Sequence, residues 1–166
     1  MTFPKNALEV WRKKKDSSLK ANKKFARKLH PHKGKHLNQL AEQVHHQVFA
    51  HLDCLDCAGC CKGLPPIVNA TDAQRIAKRL GLSVANFEQQ YLTVDEDKDT
   101  VLKQTPCPFL LENNHCSIYE FRPKACRSYP HTDEQFSKNI PYHVKNTLHC
   151  PATFYILEQL KQAVPV

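Results

Sequence analysis

The 166-residue chain has only four glycines, one tryptophan and one methionine. Neither G-x-G-x-x-G nor G-x-x-x-x-G-K-[ST] occurs, which removes the glycine-cradled phosphate sites of dinucleotide-binding and P-loop folds. No run approaches the roughly 18 consecutive apolar residues of a membrane-crossing helix. Met1-Thr2-Phe3-Pro4-Lys5 leads into no apolar h-region with a small-residue cleavage site. Export by a standard signal peptide is therefore not expected, and a cytoplasmic location is. The apolar fraction, 41%, suffices for one core of modest size.

Acidic residues are scarce in the first third. Twelve Lys and Arg face four acids from Met1 to Asp53, whereas twelve face twelve from Cys54 onward. The whole net charge of +8 thus lies in a cysteine-free stretch, and all eight cysteines lie in the neutral remainder. This asymmetry marks a change of character along the chain. The expected organisation is a basic helical arm over residues 1–36 followed by a cysteine-rich metal-binding domain over residues 37–166. In the arm, Lys13-Lys14-Lys15, Lys20, Lys23-Lys24, Arg27-Lys28, Lys33 and Lys35 are interspersed with Val10, Trp11, Leu19, Phe25 and Leu29. A solvated, partly helical segment that docks a few side chains explains the pattern. So does a surface for nucleic acid or another polyanion made by Lys13, Lys14, Lys15, Lys23, Lys24, Arg27 and Lys28. A membrane-surface role is the third reading.

The fold class expected is mainly α with a small β-hairpin. Leu37, Leu40, Ala41, Val44, Val48 and Leu52 keep helical spacing, which predicts an amphipathic helix from Leu37 to Leu52. His45, His46 and His51 fall on or near it and read as solvated. Thr71-Asp72-Ala73-Gln74 matches a capping box opening a helix through Ile76, Ala77 and Leu80, which Gly81 can stop. Ser83 can cap another, with Phe87 and Tyr91 paired at i,i+4. Asp95-Glu96-Asp97 with Asp99 forms an acidic turn, without the glycine and terminal glutamate of an EF-hand. Short strands are expected near Val101-Leu102, Phe109-Leu110-Leu111 and Ser117-Ile118-Tyr119, with Asn113-Asn114 turning a hairpin. A last helix starts at Pro151 and aligns Phe154, Leu157 and Leu160. Cys150 then stands near its N-cap, where the helix dipole favours a thiolate.

The cysteines carry the chemistry. In a reducing compartment, clustered thiols are metal ligands or redox groups rather than staples. Cys54, Cys57 and Cys60 keep the x2 spacing of ferredoxin ligand runs, with Gly59 as the residue expected to permit a tight loop. Cys61 follows directly, and two adjacent sulfurs do not easily reach one point, so Cys60 and Cys61 serve different centres or one supports the other. Cys107, Cys116, Cys126 and Cys150 are dispersed, several beside prolines. Arg122 and Arg127 lie close to Cys126 and would stabilise a negatively charged thiolate site. His115 and His149 each adjoin a cysteine but point away in extended chain. All eight cysteines are candidate ligands of one centre or two. The third x2-spaced cysteine and the Cys-Pro steps place an iron–sulfur cluster, of the four-iron type, ahead of iron or zinc alone. A nucleophilic role for a cysteine would need a base; His131, His143 and His149 are available, but no local signature selects one.

The ordered blocks Cys54-x2-Cys57-x2-Cys60-Cys61, Cys107-Pro108-Phe109-Leu110, Cys116-Ser117-Ile118-Tyr119-Glu120, Arg122-Pro123 and Cys126-Arg127-x-Tyr129-Pro130 resemble the CxxCxxCC cysteine-cluster family. These are YkgJ-type bacterial proteins described as zinc- or iron-chelating domains. The resemblance runs from Cys54 to Pro130 and implies metal chelation. That family is also similar to the cysteine-rich part of flagellin lysine N-methylases, which implies a link to protein lysine methylation, as an accessory or catalytic part. No S-adenosylmethionine motif accompanies it in this chain.

Overall fold

A computed structural model describes residues 3–164. The protein is mainly helical with one small antiparallel sheet, as the sequence predicts. It divides into two compact units, Met1–Asp53 with Pro130–Val166, and Cys54–Tyr129. Among the described residues no helix is long and apolar enough to cross a membrane.

The first unit is built from four helices: α1 (Ala7–Leu29), α2 (Lys35–Phe49), α8 (Ile140–Asn146) and α9 (Pro151–Ala163). The region expected to be a partly helical arm forms one continuous helix of 23 residues. Ala7, Trp11, Phe25 and Leu29 recur at helical spacing and are buried, while the lysines between them, Lys15 excepted, are exposed. Trp11 Nε1 donates to the carbonyl of Thr147 at 2.8 Å, and Lys15 Nζ donates to that of Leu148 at 3.0 Å. The carbonyls just past the end of α8, at Thr147 and Leu148, are met in this way by side chains of α1. Helix α9 is buried along its whole first half, Pro151 to Leu157, because every one of those positions except Thr153 is apolar or aromatic. In α2, Leu37, Ala41, Val44 and Val48 form the buried stripe; the helix starts two residues before and ends three before the predicted bounds.

The second unit holds the short helices α3 (Cys54–Cys57), α4 (Gly59–Gly63), α5 (Ala70–Leu80), α6 (Val84–Tyr91) and α7 (Lys124–Ser128). Strands β1 (Leu92–Val94) and β2 (Thr100–Leu102) pair antiparallel, with Thr93 opposite Val101. Asn69, rather than Thr71, caps α5: its side chain accepts from the backbone N–H of Asp72 at 2.8 Å. Gly81 ends that helix at φ 69°, a left-handed conformation. Ser83 caps α6 by accepting from Asn86 N–H, and Phe87 stacks on Tyr91 at 5.3 Å. Val68, Ala73, Ile76, Phe87, Leu102, Phe109 and Ile118 are among the residues that close the core.

The hairpin differs from expectation. The strands flank the acidic turn, where the Asp95 carboxylate accepts from Asp97 N–H at 3.0 Å and Asp99 N–H at 2.9 Å. The stretch from Phe109 to Tyr119 turns at Asn113-Asn114 but makes a single bridge, Leu110 with Cys116. Leu111 N–H donates to the His115 carbonyl at 2.8 Å and Ser117 N–H to that of Phe109 at 2.9 Å, while the N–H groups of Phe109 and Ile118 turn to sulfur.

Candidate metal centre

Three loops of the second unit bring thiols together. The first is the pair α3 and α4. Between them Ala58 is held at φ 46°, ψ 28°, so the left-handed residue of this tight loop is an alanine and not Gly59. The reversal there sets Cys57 and Cys61 on successive turns, and Cys57 Sγ accepts from Gly59 N–H at 3.3 Å. The second loop is anchored to the first by backbone: Cys107 N–H donates to the Cys61 carbonyl at 2.8 Å. The third carries Cys126 on α7.

Within the second loop, the N–H groups of Phe109 and Leu110 donate to the Cys107 sulfur, and that of Ile118 donates to the Cys116 sulfur. Each such bond favours the thiolate. Ser117 N–H, donating to the Phe109 carbonyl at 2.9 Å, ties the two cysteine turns together. Cys107 and Cys116 pack against the apolar core, which desolvates them.

The third loop is strapped down by charge. The Asp72 carboxylate, buried at 2% exposure, accepts from Arg75 Nη2 at 2.6 Å and from Lys124 N–H at 3.0 Å. Arg75 Nη2 also donates to the carbonyls of Phe121 and Arg122. One buried carboxylate and one guanidinium thereby hold both sides of Pro123 and the start of α7. In the sequence Asp72 stands only as part of a capping box, and its i,i+3 spacing to Arg75 is the one signal of the pair.

The four thiols of Cys61, Cys107, Cys116 and Cys126 lie within electrostatic reach of one another. The Cys60 thiol hydrogen-bonds to Cys61 and lowers it to about 7, with Lys62 and Arg122 acting in the same direction. Burial, and then the negative charge of the neighbouring sulfurs, raises Cys107 to about 11 and Cys126 to about 12. Cys116 is raised by burial and by Cys61. The Arg122 guanidinium favours the thiolate at Cys61, Cys116 and Cys126. Its Cζ lies 3.6 Å from the centre of the exposed Tyr119 ring, and Nη1 donates to the Tyr119 carbonyl. Arg127 is exposed and donates to the Arg122 carbonyl at 2.7 Å, so it braces the backbone of the first arginine.

The remaining predicted ligands are placed as follows. Cys54 is exposed at the start of α3, and Cys60 stands beside Cys61. Cys150 belongs to the other unit, where it caps α9 and its sulfur accepts from Thr153 N–H at 3.5 Å. No disulfide joins the cysteines. Among the described residues no group of three or more His, Cys, Asp or Glu side chains is arranged to hold a metal ion. The donor set suits a soft cation: three sulfurs that burial and then neighbouring charge keep protonated, beside the lowered Cys61, with N–H donors and a guanidinium that favour the thiolate.

A helical unit that carries neighbouring cysteine thiols on several short turns, with its own positive counter-charge, has the composition of the metal-chelating class. The chain belongs to the CxxCxxCC family, described as "Putative zinc- or iron-chelating domain", which it matches over residues 53–151. That span takes in all eight cysteines. No solved structure matches the chain.

Proposed function

We propose that Cys61, Cys107, Cys116 and Cys126 hold an iron–sulfur cluster of the four-iron type. One observation carries the reading: burial, and then the charge of neighbouring sulfurs, resists ionisation of Cys107, Cys116 and Cys126 around Cys61, and a bound cationic centre offsets both. Hydrogen bonds to sulfur, net charge and exposure tune such clusters, and the backbone donors of Phe109, Leu110 and Ile118 together with Arg122 supply the first two. The same tetrad suits one tetrahedral zinc ion, and the experiment separates the two.

Anaerobically purified protein is expected to be brown, with about four irons and matching acid-labile sulfide per chain. Replacing any one of the four by serine should remove the colour and the iron. Cys54→Ser should retain both. Colourless protein with one stoichiometric zinc, lost in the same four variants, assigns the tetrad to zinc. Folded protein with neither metal overturns the site.

A further inference from the structure

The metal site leaves unexplained the whole positive charge of the chain, and the structure shows how that charge is displayed. Helix α1 turns its apolar side inward through Trp11, Phe25 and Leu29. On the opposite side Arg12, Lys20, Lys23, Lys24, Arg27 and Lys28 are all exposed. At 100° per residue these fall on one broad face, and from position 12 to 28 the face runs about 24 Å. Asp16 is the one acid among them, and Lys13 is engaged by Glu9 at 2.6 Å. None of the six makes an ion pair among the described residues.

We propose that this face of α1 binds the phosphate backbone of double-stranded nucleic acid, without base specificity. Five cations gathered between Lys20 and Lys28, with Arg12 about two turns further along the same face, meet a row of phosphates and release its counterions. Three features set this partner ahead of others. The aromatics of the helix are buried, so there is no platform on which unpaired bases would stack. The apolar side of the helix is likewise buried, so it is not available for insertion into a bilayer. The basic face also lacks the aromatic anchors around which protein interfaces form.

The test uses the full, metal-loaded chain and a 20-base-pair duplex of arbitrary sequence, with affinity measured over a range of salt. The double variant Lys20→Glu/Lys24→Glu should lower the magnitude of the log–log salt slope by about 2 and weaken binding at least tenfold at low salt. Lys78→Glu/Lys138→Glu changes the net charge equally but lies off α1, and should leave the slope unchanged. Circular dichroism should show the helix intact in both. Equal losses in the two variants, or no binding of duplex by the parent, overturns the proposal. So does tighter binding to vesicles of one-third phosphatidylserine than to duplex, which assigns the face to membranes. Failure of the metal site leaves these outcomes untouched.

Discussion

A thiol with a pKa of about 12, such as Cys126, keeps its proton at neutral pH, and so does Cys107 at about 11. Metals take thiolates, so binding must expel those protons. At pH 7, Cys107, Cys116 and Cys126 each give up one, and Cys61, titrating at about 7, gives up about half of one. Titrating zinc into apo-protein in buffers of differing ionisation enthalpy should therefore report about three and a half protons per site. Affinity should rise with pH by more than three decades per pH unit near neutrality, for the same reason. Fewer than two protons would mean that other groups bind the ion. All eight cysteines stand out in the sequence as candidate ligands. Their sorting does not, because adjacent sulfurs such as Cys60 and Cys61 differ only in which way the backbone turns, and Ala58, with nothing in its side chain to announce it, makes that turn.

At the scale of elements, α2, α5, α6 and α9 followed from periodicity and caps, since their bonds are local, whereas the short α3, α4, α7 and α8 carry no such period. Nor did the hairpin follow. Phe109–Leu111 and Ser117–Tyr119 have the composition of strands, yet the amides of Phe109, Leu110 and Ile118 turn to the sulfurs of Cys107 and Cys116, a demand that no propensity records. The strap from α5 to α7 was equally hidden, since it joins residues 52 positions apart. It is also the element on which the placement of Cys126 depends. Asp72→Asn keeps the shape but removes the charge that Arg75 and the Lys124 amide share. The expected loss is about 2 kcal/mol in the stability of this unit, below the usual value for a broken buried pair because Arg75 is partly exposed. Metal affinity, measured by competition with a chelator, should fall with it. Unaltered affinity would show that Cys126 is positioned by other means.

At the scale of the molecule, the two units answer to different variables. Cys54–Tyr129 closes a core of small extent and has the metal as a further tie, so chelation should destabilise it. The other unit has no part in the proposed tetrad and contains the only tryptophan, Trp11, buried at 6% exposure. Tryptophan emission should stay unchanged on chelation while far-ultraviolet dichroism falls. Acid should do the converse. His143 is fully buried, stacked 4.6 Å from Phe136, with neither ring nitrogen hydrogen-bonded, and burial lowers its pKa from 6.5 to about 4. Between those values the unfolded chain binds a proton that the folded chain refuses, so stability is complete above pH 6.5 and drains away toward pH 4. The difference is about 3 kcal/mol. Urea unfolding followed by Trp11 emission at pH 7 and pH 4 should show that loss in the parent, and His143→Leu should reduce it by about the same amount, also about 3 kcal/mol. An acid limb that survives the substitution intact would place the titrating group elsewhere, with His45 and His131, both also lowered by burial, the next to replace.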